Sequence, residues 1–358
     1  MTWQGIHGHD EIVDDFRRRL RNQRLASTFL FVGPPGVGKR MFAIKLAQAL
    51  LCETNPEVAF EPCGHCPACQ QVAAGTHPDL IVVSRKANSS RITIDQLVGP
   101  EDKRMQEGLV HDIGLKPFYG GRKIGIIEDA DSLAAGQGES ANCLLKTLEE
   151  PPPRSVLILL GTSEQRQLPT IRSRAQVVRF EPLANTMVAE LVLQQGIVPD
   201  AAQAEQLAEL AQGNMQMAQE FADGEVREFR QRLLRFLSDA QPDSAAISKP
   251  LTTFVDDAGK EAPLRRARLR LLAGVAIEFY RQLLWALSGN EPTGDEPLRQ
   301  AAQLAARQWN RETEVAASAL ERCLDLLLQV DANANQSTLI EAWLDDLAQL
   351  RLVGRTPL

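Results

Sequence analysis

Short apolar runs alternate with helical-period stretches through the first half of the chain, and strand-like runs stop after it. "STFLFVG" (27–33), "DLIVVS" (79–84), "KIGIIED" (123–129) and "SVLILLGT" (155–162) are near-continuous apolar segments, the pattern of parallel strands covered on both faces. Between them, "KRMFAIKLAQALLC" (39–52) and "SANCLLKTLEE" (140–150) have helical spacing, and Pro151, Pro152 and Pro153 stop the second. This alternation predicts a doubly wound α/β domain ending near residue 180. Past "FEPL" (180–183) only helical periodicity remains. Short helices are expected over 184–224, a break or loop around "SDAQPDSAAISKP" (238–250), and then four long amphipathic helices beginning in "PLRRARLRLLAG", "EPLRQAAQ", "RETEVAAS" and "STLIEAWL". The expected domains are 1–182, 183–242 and 243–358.

Composition narrows the class without naming a function. The 358 residues are 44% hydrophobic and 24% charged, which is ordinary globular usage with room for two or three cores. A net charge of -7 argues against binding duplex DNA through the whole surface, since that affinity comes from clustered Lys and Arg. The N-terminal stretch has no apolar run of signal-peptide type, and no segment reaches the ~18 apolar residues of a membrane span. Six cysteines without a secretory signal point to a reducing compartment, so a cytoplasmic protein is expected.

The chemistry-bearing positions fall into four groups. "GPPGVGKR" (33–40) lies between the first strand and a helix. Gly33, Gly36, Gly38 and Lys39 fit a phosphate loop, but Arg40 stands where a Ser or Thr would hold Mg²⁺, and a guanidinium has only donors. "KIGIIEDAD" runs a strand into Glu128 and Asp129, where P-loop enzymes place a metal-anchoring carboxylate; a solvated strand exit is the bland alternative. Cys52 with Cys63, Cys66 and Cys69 of "CGHCPAC" suits a structural zinc in a module of about residues 52–77, against His65 or His77 replacing one thiolate, an iron–sulfur cluster, or free thiols. Cys143 and Cys323 read as core residues. In "PTIRSRAQVVRF" (169–180), Arg172 and Arg174 are either surface cations or an arginine finger.

Together, "GPPGVGK", the cysteine knuckle before "HPDL" (77–80), "ANCLLKTLEEPP" (141–152), "LPTIRSRAQ" (168–176) and "DANANQSTLIEAWLDDL" (331–347) resemble the AAA+ subunits of the bacterial sliding-clamp loader over nearly the whole chain. The resemblance implies a RecA-like P-loop AAA+ domain with a zinc-module insertion, an all-α lid and an all-α collar used for oligomerisation. ATP-hydrolysing gamma/tau chains of that family carry an intact phosphate loop, a D-E pair, and an arginine in the lid turn. Here Arg40, the Glu128-Asp129 order and Gln216 of "GNMQMA" all depart from that pattern. The sequence also ends shortly after the last helix, without the extension of tau.

The expectation is therefore a non-hydrolysing member of the DNA polymerase III loader. Ser173 and Arg174 match the family's S-R-C motif, with Ala175 in place of cysteine, which implies that Arg174 serves as an arginine finger in trans. Thr162 and Ser163 fall at the sensor-1 position. The implied partners are gamma/tau and delta subunits, with the sliding clamp and primed DNA reached through the complex. Phosphate binding by Gly33, Gly36, Gly38, Lys39, Glu128 and Asp129 is expected to be vestigial, while an ATPase of gamma/tau type, tolerating Arg40, is the alternative. Polymerase activity would belong to the holoenzyme.

Overall fold

The structure is a computed structural model that describes residues 3–86, 89, 91–119, 121–134, 139–308, 313–331 and 335–353. Residues 309–312, and 332–334 of the "DANANQ" stretch, lie outside the described residues. The chain divides into two compact units, residues 1–191 with 213–216, and residues 192–212 with 217–358.

In the first unit the elements run α1 (Asp10–Arg21), β1 (Thr28–Val32), α2 (Lys39–Leu51), α3 (Pro67–Ala74), β2 (Leu80–Val83), α4 (Ile94–Val98), α5 (Leu109–Gly114), β3 (Lys123–Ile127), α6 (Glu139–Glu149), β4 (Ser155–Gly161), α7 (Pro169–Arg172), β5 (Gln176–Arg179) and α8 (Asn185–Gln194), whose last residues belong to the second unit. The five strands form one parallel sheet in the order β2-β3-β4-β1-β5. Every residue of β1, β3 and β4 is buried, which is why the apolar runs are continuous rather than alternating.

Period-two geometry still sorts these residues onto two faces. Phe29, Phe31, Ile124, Ile126, Val156 and Ile158 pack with Phe16, Phe42, Phe60 and Phe180 on one face. Leu30, Val32, Ile127, Leu157 and Leu159 pack with Leu109, Ile113 and Leu144 on the other. Each such side chain contributes roughly 1.5–3 kcal/mol on burial, so the sheet is the unit's main source of stability.

One element of this sheet differs from the sequence expectation. Residues 176–179 pair with β1 as a fifth strand, in register Phe29 with Gln176 and Leu30 with Val177. Their burial is only partial, so the four-residue edge strand leaves neither a long apolar run nor a clean alternation.

The second unit is helical: α9 (Ala201–Ala211), the later part of α10 (Met215–Ala222), α11 (Gly224–Ser238), α12 (Ser244–Asp256), α13 (Ala262–Leu287), α14 (Glu296–Gln308), α15 (Thr313–Asp331) and α16 (Gln336–Val353). The loop expected over 238–250 is confined to residues 239–243, and α12 occupies the rest. Its polar start is a cap: the Asp243 carboxylate accepts from the Ala246 amide at 3.0 Å. The α12 helix also carries Pro250 in its interior. Inside this unit Arg230 and Asp295 form a buried, two-pronged ion pair at 2.9 and 2.6 Å, and Phe229 stacks on Phe254 at 4.4 Å.

Candidate nucleotide site and metal centre

The loop between β1 and α2 turns on three glycines, Gly33, Gly36 and Gly38. Gly33 and Gly36 are both at positive φ, and each is also crowded from outside. A Cβ on Gly33 would lie 2.2 Å from the Phe180 carbonyl, and one on Gly36 would lie 1.7 Å from Asn214 Oδ1. The turn Gly213–Gln216 thus closes directly over the loop, held by the Met215 amide donating to the Gly36 carbonyl at 3.2 Å. His9, just before α1, supports the loop from behind, with Nε2 2.7 Å from the Val37 carbonyl. Because a carbonyl only accepts, Nε2 carries the hydrogen; burial lowers the imidazole pKa and keeps the ring neutral.

Lys39 and Arg40 begin α2, whose own first turn contains no acidic residue and where the helix dipole disfavours cations. Lys39 Nζ donates to the Gly33 and Pro34 carbonyls at 2.7 and 2.6 Å. Burial pushes its pKa down to about 8, opposed by the charge of Asp131. Arg40 Nε lies 2.5 Å from Glu128 Oε1. The cation at the position of the metal-binding hydroxyl is therefore neutralised by the first carboxylate after β3. Asp129 faces elsewhere: it sits at φ 56° and pairs with Arg85 at 3.1 Å. Of the two acidic residues singled out in the sequence, only Glu128 is brought to Arg40.

Thr162, at the end of β4, is also engaged. Its amide donates to Asp131 at 3.0 and 3.2 Å, and its hydroxyl donates to the same carboxylate. Gln167 Nε2 is a further donor to Asp131. Sequence reading passed over Asp131, His9 and Asn214. Asp131 alone left a signal, as the third acidic residue of "EDAD".

Arg174 follows α7 and is folded onto its own chain. Nε donates to Glu149 Oε1 at 2.9 Å, and Nη2 donates to the same oxygen. Nη1 reaches the Thr170 carbonyl at 2.9 Å and Ser173 Oγ at 3.2 Å. Arg172, in the last turn of α7, is exposed.

The four cysteines converge although Cys52 is the C-cap of α2 and the others lie around the start of α3. Their sulfurs lie within 4.8 Å of one another, and Cys63 and Cys69 are 4.0 Å apart. Tetrahedral Zn–S bonds of ~2.3 Å require sulfurs ~3.8 Å apart, so a small contraction closes the site around an ion. Backbone amides of Asn55, Cys66 and Cys69 point at the sulfurs of Cys52, Cys63 and Cys66 at 3.3, 3.3 and 3.4 Å, the outer-shell support that thiolate ligands need.

The thiol energetics also favour ligation. The Thr54 hydroxyl and then the Cys66 amide bring the Cys63 pKa down to about 5, whereas burial pushes Cys69 up, a cost a cation would offset. Neither histidine joins the group: His65 Nδ1 contacts the Cys63 carbonyl at 2.9 Å, and His77 Nδ1 accepts from the Asp79 amide at 3.0 Å. The residues present can hold a metal ion through four sulfurs.

A parallel sheet in this order, a glycine-rich loop from its β1 strand into a helix and an acidic exit from β3 define a P-loop α/β fold of AAA+ type, with an inserted cysteine knuckle. Residues 8–184 match the family model described as "DNA polymerase III, delta subunit". "DNA polymerase III subunit delta'" of Pseudomonas aeruginosa is 35% identical over 210 residues, 58% of this chain and 60% of that one. The protein of the same description in Bacillus subtilis is 31% identical over 183 residues, 51% and 50% of the two chains. "DNA polymerase III subunit tau" of Bacillus subtilis is 29% identical over 227 residues, 63% of this chain and 36% of that one.

Residues 8–184, just under half of the chain, are thus similar to the delta-prime subunits of DNA polymerase III. The match spans half to three-fifths of the delta-prime relatives' length. Among the described residues, no helix is long and apolar enough to cross a membrane.

Proposed function

We propose that this chain is a non-hydrolysing subunit of a clamp loader that supplies Arg174 to ATP held by a neighbouring subunit. The observation that carries this reading is the Arg40–Glu128 pair at 2.5 Å. A guanidinium occupies the place of the Mg²⁺-binding hydroxyl, and the carboxylate that would steady the metal is spent on it. The chain's own loop thereby lacks the means to neutralise a transferring phosphoryl group, a task in which Mg²⁺ is central. The substitution of Gln216 for a lid arginine removes a second cation from the same site.

Arg174 keeps the planar, permanently charged donor set that a phosphoryl group in an adjacent subunit requires. The partners proposed on this reading are gamma/tau and delta subunits, with the sliding clamp and primed DNA engaged by the assembled complex during replication. The cysteine cluster is proposed to hold a structural Zn²⁺, since four thiolates leave no open position for chemistry. The division into an AAA+ domain (1–182), a lid (183–242) and a collar (243–358) is likewise proposed; limited proteolysis should cut near 182 and 242.

The test is the DNA-stimulated ATPase of a complex reconstituted from full-length subunits. Arg174→Ala is expected to lower turnover by ~10³, the scale of arginine fingers supplied in trans. Unchanged turnover would reject the role. A second reading, an ATPase of gamma/tau type, is favoured by the retained Lys39 and by the similarity to tau. Hydrolysis by the isolated chain that disappears in Lys39→Ala would establish it.

A further inference from the structure

The guanidinium of Arg174 is almost saturated by its own chain. Nε and Nη2 both donate to Glu149 Oε1, and Nη1 donates to the Thr170 carbonyl and Ser173 Oγ. Glu149 is the last residue of α6, and Arg174 lies just past α7, so two separate elements set the pair. Thr170 and Ser173 belong to the turn that carries the arginine, and they fix its root. Glu149 is different: it supplies the one full negative charge, and its side chain is half exposed while that of Arg174 is 29% exposed. The carboxylate therefore grips the Nε edge of the guanidinium at the protein surface.

We propose that Glu149 is an intramolecular latch on Arg174, holding the guanidinium side-on in the free subunit and exchanging it for a phosphate anion of the neighbour's nucleotide on assembly. This rests on the reading of Arg174 as a finger in trans. The chemistry of exchange is like for like: Nε–H and Nη2–H converge on one carboxylate oxygen of Glu149, and an anionic phosphate oxygen accepts the same two donors. A phosphoryl group carries more negative charge than one carboxylate and displaces it once the geometry of the interface brings it within reach. Until then, the latch keeps an exposed cation from other anions and preserves its rotamer. Glu149 is on this account a positioning residue: it never touches the nucleotide, and its ion pair opposes nucleotide engagement by the amount of one exposed pair, about 2- to 5-fold in an equilibrium constant.

Two measurements on full-length chains test this. In the free subunit, exchange of the Arg174 Nε–H, followed by NMR, is expected to be about 2- to 5-fold slower in the native chain than in Glu149→Gln; equal rates would show that the latch does not form. In the reconstituted complex with ATP, Glu149→Gln is expected to lower the KM for ATP by the same factor, with the change confined to KM, and to lose that effect when Arg174→Ala is already present. If Arg174→Ala lowers turnover but Glu149→Gln leaves KM unchanged, the finger stands and the latch falls. If Glu149→Gln shifts KM equally with Arg174 absent, Glu149 acts by another route and the latch again falls. If Arg174→Ala leaves turnover intact, both fall together.

Discussion

Arg40 and Glu128 lie 88 residues apart in sequence, and their side chains meet at 2.5 Å between Nε and Oε1. The pair puts a fixed organic cation where a P-loop enzyme binds a removable inorganic one. Glu128 keeps an electrostatic partner without any metal, and the two cations at the start of α2 are partly balanced.

The pair should therefore be measurable as a coupling and resistant to simple repair. A double-mutant cycle of Arg40→Ala and Glu128→Ala, read by urea unfolding, is expected to give about 0.5–1 kcal/mol, since Arg40 is largely exposed and solvent screens the interaction. Restoring the hydroxyl with Arg40→Thr is not expected to produce Mg²⁺-dependent hydrolysis, because the carboxylate order and Gln216 remain as they are. Single-turnover hydrolysis above the Lys39→Ala background would contradict this.

Lys39 provides a pH signature. Its pKa is pushed down to about 8 from 10.5, so between these values the unfolded chain binds more protons than the folded one, and this residue's contribution to stability rises with pH over that window. Below about 8 the penalty for burying the charge is fully present. Replacing Lys39 by Met should remove that part of the pH dependence of unfolding. Inorganic phosphate or nucleotide at the loop would favour the charged form, so any such affinity should weaken as pH rises through about 8.

The cysteine cluster should bind one Zn²⁺ per chain by atomic absorption. Cys69→Ser should lose the metal and destabilise the chain by roughly 3 kcal/mol or more, lowering Tm by about 6–12 °C. Metal binding must deprotonate the buried Cys69 thiol, which burial holds in its neutral form, so affinity should fall as pH is lowered. A chain that keeps its metal with Cys69 replaced would rule out this ligand set.

Asp79 and Lys123 form a buried ion pair at 3.3 Å, and Asp79 also accepts from the amides of Phe118 and Tyr119. Asp79→Ala strands a buried ammonium and two amides together. The expected cost is about 3–5 kcal/mol in urea unfolding, well above the value for the exposed Arg40–Glu128 pair. A loss under 1 kcal/mol would mean that the carboxylate is not carrying the loop before β3.

The sequence by itself determined the features whose causes are local. The apolar runs marked β1 to β4 because a strand buried on both faces cannot carry charges in its middle. The glycine spacing located the tight turn between β1 and α2 because glycine adopts its positive-φ backbone without strain, and "CGHCPAC" announced a thiol cluster able to hold a metal ion because three thiols come from one short turn. Helices α13 to α16 were legible from their amphipathic period.

What the tertiary structure decided were pairings between distant, individually ordinary residues. Gln176–Arg179 becomes a strand only because β1 offers an open edge. Arg40 finds Glu128, Gly36 finds Asn214 and Arg174 finds Glu149 across gaps that no period or spacing spans. An isolated charge or amide in the sequence carries no information about its partner, because the partner is set by how the sheet and its covering helices close upon each other.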